Sequence, residues 1–220
     1  MDTIRLDDNI RDAAEQAAEV LRRGGVVLFP TDTLYGLGAD AFSNDAVDKV
    51  YAIKGRDEGK PIHALVCDIE MAERYAEITD DVRLAIERLP RGKVTFICKK
   101  KAGIDTGTAR DIDTFGFRIP DSAFCIAMIE AFGGPVTATS ANVAGQSPQS
   151  SVDAILEQFS YSSILQNTRI DLVVDAGELP ASMPSTVVSF AEAHPVILRE
   201  GAVAAAEVWA ALRETDVGQG

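Results

Sequence analysis

The chain has 220 residues, 46% of them hydrophobic, which is enough apolar material for one large domain or two small ones. With 34 acidic residues against 21 basic ones the net charge is −13, and so acidic a surface repels a polyphosphate backbone and argues against non-specific nucleic-acid binding. No apolar run approaches the roughly 18 residues that a membrane span requires, and the opening MDTIRLDDNIRDA is acidic and lacks the apolar core of a signal peptide.

Helices and strands alternate along the chain. Ile10, Ala13, Ala14, Ala17, Val20 and Leu21 follow helical spacing, and Gly24-Gly25 stops that helix. Residues 26–29 read as a short apolar strand running into a loop rich in hydroxyls and glycine, PTDTLYGLG. Asn44 begins a helix with Val47, Val50, Tyr51 and Ile53 as its apolar positions. Residues 64–67 read as a strand, Thr79 caps a helix carrying Val82, Leu84, Ile86 and Leu89, and residues 90–93 turn into a strand at 94–98. The polar stretch 99–113 is expected to be a mobile surface loop with the character of a lid, and its Lys99-Lys100-Lys101 run a solvated edge. A strand at 115–119 precedes a helix capped by Asp121 and ended by Gly133-Gly134. Residues 136–139 form another strand, Ser151 starts a helix, strands follow at 172–174, 186–190 and 196–198, and a last helix spans residues 204–213. With no repeat, low-complexity tract or linker, one α/β domain around a mixed sheet is the economical expectation. Cys67, Cys98 and Cys125 are odd in number, lack CxxC spacing and lie in apolar runs, so they read as buried structural thiols in a reducing cytoplasm.

Four familiar motifs fail, three on spacing and one because it is absent. Gly36 to Ala41 matches GxGxxA, but six residues separate the strand from Gly36 and the helix waits until Asn44, whereas a dinucleotide fingerprint needs its first glycine directly after the strand. The segment GRDEGK at 55–60 is one residue short of a phosphate-binding P-loop, and Pro61 stands where a hydroxyl must hold magnesium. The two histidines, His63 and His194, have no Cys or carboxylate at zinc-ligand spacing, and no GxSxG elbow supplies a hydrolase serine.

A site emerges instead from several segments. The helix that begins at Asn44 runs into three cations, Lys54, Arg56 and Lys60, facing a strand end made of hydroxyls and bare backbone, which is the chemistry a phosphorylated small molecule needs. Thr114, Gly116 and Arg118 alternate along one strand face. Thr137-Ala138-Thr139-Ser140-Ala141-Asn142 ends a strand in hydroxyls and an amide, Ser185-Thr186 opens a strand after Pro184, and Arg199-Glu200-Gly201 closes the last one. Singly each is an ordinary solvated strand end. Together they point to a nucleotide site at the strand ends of an α/β sheet.

The set PTDTLYGLG, KGRDEGKP, FRIP, TSAN, STVV and LREG, in order over roughly residues 10–205, strongly resembles the YrdC/Sua5 family of L-threonylcarbamoyladenylate synthases. The resemblance implies a YrdC-like α/β fold, a single domain over residues 1–220 with a twisted mixed sheet flanked by helices and a large, positively lined concave face. It implies a reaction in which L-threonine, bicarbonate and ATP, with Mg2+, give threonylcarbamoyl-AMP and pyrophosphate. The product feeds the N6-threonylcarbamoyladenosine modification of tRNA through downstream threonylcarbamoyl-transfer proteins.

Carried over by motif, Lys54 and Arg56 are the catalytic KxR pair. Arg56, Lys60, Thr114, Ser140, Asn142, Ser150 and Arg199 bind ATP, and Thr33, Arg118 and Ser185 bind threonine, with Arg118 on its carboxylate. Many relatives place a threonine-contacting histidine where this chain has Leu65; His63, two residues earlier, is the candidate substitute. No residue of the set is an obvious general base. Longer relatives carry a further C-terminal domain, so the expectation here is the short form. The rival expectation is a nucleotide- or double-stranded-RNA-binding relative that keeps the fold without the synthase reaction, or a domain of the far longer carbamoyl-transfer enzymes that mature hydrogenases.

Overall fold

A strand whose four side chains are all apolar or cyclic has no polar face to leave in water, so β2 (Val27–Pro30) must be covered on both sides. In the computed structural model, which describes residues 1–6, 9–55, 61–161 and 169–213, that is how it sits. Val27 and Phe29 enter one core while Val26 and Leu28 enter a second on the opposite face. β2 pairs parallel with β9 (Leu172–Asp175) and antiparallel with β3 (Tyr35–Gly38), while β1 (Asp2–Arg5) and β8 (Thr139–Ser140) close the edges in the order β1-β9-β2-β3-β8.

A second mixed sheet takes the order β11-β10-β5-β6-β4-β7, built from β11 (Val196–Arg199), β10 (Thr186–Ser189), β5 (Val94–Lys99), β6 (Thr114–Arg118), β4 (Ala64–Leu65) and β7 (Val136–Thr137). The period of two is visible in its centre. Val94, Phe96 and Cys98 of β5 and Phe115 and Phe117 of β6 are buried in the main core, which leaves Thr95, Ile97, Thr114, Gly116 and Arg118 on the other face, as the alternation in the sequence predicts.

The expected mixed sheet is therefore two sheets, and the reason lies in the expected strand 136–139. The chain leaves the second sheet after Thr137 and joins the first at Thr139. Between them, the Ala138 N–H donates to the His63 carbonyl (2.9 Å). Thr137 ties the two sheets by donating its N–H to the Ala39 carbonyl (2.8 Å) and accepting the Ala39 N–H on Oγ1 (2.9 Å).

Seven helices cover the sheets among the described residues: α1 (Ile10–Arg22), α2 (Asn44–Lys54), α3 (Ile69–Glu73), α4 (Asp80–Arg88), α5 (Ala123–Phe132), α6 (Val152–Tyr161) and α7 (Ala205–Arg213). The small residues Ala13, Ala14 and Ala17 of α1 lie in the main core, where α1 packs against α5, while α2 and α6 enclose the second. Ser43 and Thr79 cap α2 and α4. The cap of α5 is Ser122, whose Oγ accepts the Cys125 N–H (3.3 Å); Asp121, the expected cap, gives its own N–H to Asp32 instead. Cys98 and Cys125 are buried, which pushes both thiols up to about 12, and Cys67 is half-buried. None of the described helices is long and apolar enough to cross a membrane.

Three elements escaped the sequence reading: β1, α3 and β3. In β3 two of four residues are glycine, so the segment has no apolar alternation of its own, and its ladder comes from pairing with β2 in the register Val27↔Gly38 to Pro30↔Tyr35.

The segment 99–113 is strapped down rather than free. Lys100 Nζ bonds Asp105 and the Ala109 carbonyl, Arg110 forks onto the Asp48 carboxylate (2.8 and 3.4 Å), and the Thr108 N–H reaches the Ala41 carbonyl (2.9 Å). Gly107 is the point of closest approach. Its φ of +57° is left-handed, its N–H donates to Asn44 Oδ1 (2.6 Å), and a Cβ there would stand 2.0 Å from the Ala41 carbonyl oxygen. Gly107→Ala is expected to cost at least about 2 kcal/mol in urea unfolding, from strain and steric displacement together. An unchanged midpoint would mean that this turn does not fasten the segment.

Candidate active site

The free face of the second sheet and the β2–β3 turn border a cavity of about 270 Å3. Seven of the residues expected in the site line it: Thr33, His63, Thr114, Arg118, Ser140, Ser185 and Arg199. Each arrives from a strand end or the turn beside one, so a backbone ladder fixes where it points. Thr33 comes from the turn after β2, Thr114 and Arg118 from β6, Ser140 from β8, Ser185 from the residue just before β10 and Arg199 from the end of β11.

Arg118 is the most constrained of them. Only 4% of it is exposed, and Nη1 donates to the Gly92 carbonyl (2.8 Å) and to Thr33 Oγ1 (3.2 Å). Its Nε is buried with no acceptor. Burial pulls the guanidinium below its ordinary pKa, nearby Arg199 pulls the same way, and Asp32 and Cys125 oppose them. Two cations acting on one another across a partly buried cavity make a place where an anion is favoured.

Arg199 is anchored by its Nε and Nη2, which donate to the Ser185 carbonyl (3.2 and 2.8 Å). Ser185 Oγ in turn shares a buried hydroxyl pair with Thr95 Oγ1 (2.8 Å).

Lys54 and Asn142 come together, but behind the wall of the cavity. Lys54 is 3% exposed; its Nζ donates to the Ser140 carbonyl, the Asn142 carbonyl (2.9 Å) and Asn142 Oδ1 (3.3 Å). Asn142 Nδ2 donates to the carbonyls of Val143 (3.0 Å) and Gln146 (2.7 Å), and Ser140 Oγ bonds Asn142 Oδ1. The two motifs thus build a loop and present Ser140 at its surface. Ser150 stands apart from the cavity lining, its hydroxyl on Glu178 (3.2 Å). Arg56 and Lys60 lie outside the described residues. Leu65 is fully buried in the main core, whereas His63 lines the cavity.

Thr31, Thr95 and Thr108 also line the cavity and were missed. Thr31 Oγ1 organises the turn, donating to the Leu34 carbonyl (2.8 Å) and accepting the Thr33 N–H (3.2 Å). Thr95 had a readable signal, a lone hydroxyl within the otherwise apolar VTFIC run. Thr108 had none, since nothing local marks one polar residue of a polar segment as buried.

The family model for Sua5, YciO and YrdC, described as telomere recombination, matches residues 19–201. The chain belongs to this family. Among its relatives, the threonylcarbamoyl-AMP synthase of Pyrococcus abyssi is 31% identical over 91% of this chain and 58% of its own length. That of Bacillus subtilis is 33% identical over 93% of this chain and 58% of its own. The chain therefore spans under two thirds of either relative. The crystal structure of P. abyssi Sua5 complexed with L-threonine superposes with a TM-score of 0.85 at 28% identity, covering 97% of this chain and 61% of that one.

Removing the buried ammonium tests the loop that this family signature builds. Lys54→Met keeps most of the stem and leaves two carbonyls and an amide oxygen short of a donor, so urea unfolding should show a loss of about 2–4 kcal/mol. An unchanged midpoint would free Lys54 from this structural role.

Proposed function

We propose that this chain is a threonylcarbamoyl-AMP synthase, condensing L-threonine, bicarbonate and ATP to threonylcarbamoyl-AMP and pyrophosphate. The observation that carries the reading is Arg118, a buried guanidinium without a bonded carboxylate, opening beside the Thr33 hydroxyl onto the cavity. An amino-acid carboxylate supplies the missing anion, and the hydroxyls of the β2–β3 turn give the amine and side chain of threonine polar neighbours. Support comes from the relatives named as threonylcarbamoyl-AMP synthases and from the likeness to Sua5 complexed with L-threonine.

In this reading the threonine amine loses a proton and adds to CO2, which bicarbonate supplies by loss of hydroxide as water, giving a carbamate. A carbamate oxygen attacks the α-phosphorus of ATP, and pyrophosphate leaves with the electrons of the broken P–O bond. Such a step asks for alignment and charge neutralisation rather than a covalent partner from the protein. ATP brings about four negative charges. Arg199 at the cavity, and Arg56 and Lys60 carried by the KGRDEGK motif, offset them, while Mg2+ enters with ATP as part of the substrate. Lys54 acts from behind, holding the loop that presents Ser140. The product is a labile mixed anhydride, consumed in the cytoplasm by proteins that transfer the threonylcarbamoyl group to tRNA. The net charge of −13 disfavours the RNA-binding alternative.

Pyrophosphate release from ATP and Mg2+, with threonine and bicarbonate omitted in turn, tests the reaction. Release is expected to need both, and release that needs neither overturns the reading. Arg118→Ala is expected to raise the KM for threonine roughly 30- to 150-fold while leaving that for ATP within a few-fold. Equal losses for the two substrates would remove Arg118 from the threonine subsite.

A further inference from the structure

Asp32 stands between Thr31 and Thr33 in the β2–β3 turn, and its carboxylate is held by one hydrogen bond and by close packing. Oδ1 accepts the Asp121 N–H (2.8 Å), its backbone carbonyl accepts Lys93 Nζ (2.9 Å), and Oδ2 is buried with no partner. The carboxylate lies flat against Gly92. A Cβ on Gly92 would stand 2.5 Å from the carboxyl carbon and 2.8 Å from each oxygen, and its φ of +73° is the left-handed conformation that glycine adopts without strain. The carbonyl of this same Gly92 receives Arg118 Nη1 (2.8 Å). One glycine thus seats a carboxylate on its α-carbon and a guanidinium on its oxygen.

Although Asp32 is the foremost charge favouring the Arg118 cation, the two form no ion pair. We propose that Asp32 is a positioning residue, the resident counter-charge of Arg118, seated on Gly92 and the Asp121 N–H so that it balances the buried guanidinium without occupying the edge that takes the substrate's carboxylate. The inference rests on the reading of Arg118 as the carboxylate anchor for threonine. It has a consequence opposite to that of an ordinary supporting residue. Asp32 stabilises the empty protein, by offsetting a buried cation, and opposes the incoming carboxylate, by like-charge repulsion. The site then releases its anionic ligand more readily than a lone buried arginine would.

Asp32→Asn separates charge from shape, because the amide oxygen still accepts the Asp121 N–H. Without ligand, the variant is expected to melt roughly 2–6 °C lower. In an Arg118→Met background the same change is expected to cost nothing. Calorimetry should show L-threonine binding about three- to tenfold tighter to the variant than to the wild type. L-threoninol, which lacks the carboxylate, should bind both alike. Unchanged or weaker threonine binding by the variant overturns the counter-charge, as does an equal melting loss with Arg118 replaced. A wild-type protein that binds no L-threonine overturns the substrate reading instead, and the melting cycle then decides the counter-charge alone.

Discussion

The passage of the chain between its two sheets at residues 136–140 is the constraint on which the site depends. β7 ends in one sheet and β8 begins in the other with a single residue between them, so the sheets meet there at a fixed angle and offset. Thr137 locks the junction with both its backbone and its hydroxyl on Ala39. The cavity is the space left where the second sheet's free face approaches the turn of the first. Through Ala138 the crossing also fixes the backbone carbonyl of His63.

The protein's net charge of −13 and the cavity's cations are not in conflict, because they act over different distances. Exposed carboxylates set a mean field that salt screens within about 8–10 Å. Arg118, at 4% exposure, acts in a medium that screens far less, while Arg199 stands exposed at the rim of the cavity. An acidic exterior discourages polyanions of any length, while a recessed guanidinium with a second one at the rim still receives a small anion that fits. This selects by size as well as by sign, and it favours a mononucleotide over a nucleic-acid backbone.

Much of the fold was legible because its signals are local. The alternation in β5 and β6, the cap at Thr79, and the stops at Gly24 and Gly133 each follow from neighbouring residues. What was not legible depends on partners distant in sequence. β3 is a strand because β2 lies beside it, the 136–139 strand divides because two sheets claim its halves, and residues 107–109 are buried because Ala41 and Asn44 hold them. The site follows the same division. Thr33, Arg118, Ser140, Ser185 and Arg199, gathered by motif, line one cavity. Spacing did not distinguish a residue facing that cavity from one standing behind it, which is why Asn142 and Ser140 read alike in the sequence and differ in the fold.

Lys54 and Arg118 bring that distinction down to chemistry. Both are cations at the end of a regular element, both are almost fully buried, and both come from conspicuous motifs. The ammonium of Lys54 is a compact donor, and three oxygens of the loop at 140–142 converge on it, so its charge is spent on holding backbone in place. The guanidinium of Arg118 is a wider fork. Gly92 and Thr33 take one nitrogen, the buried Nε has no acceptor, and the nearest acid is seated beside the fork rather than on it. Arginine suits the second role because it stays charged when buried and can still offer donors after two have been used, whereas a lysine there would lose its proton or saturate. A buried cation whose acceptors are all supplied by its own chain is architecture; one left short of acceptors beside a cavity has donors to offer an outside anion, and in the proposed function the first holds the wall against which the second works.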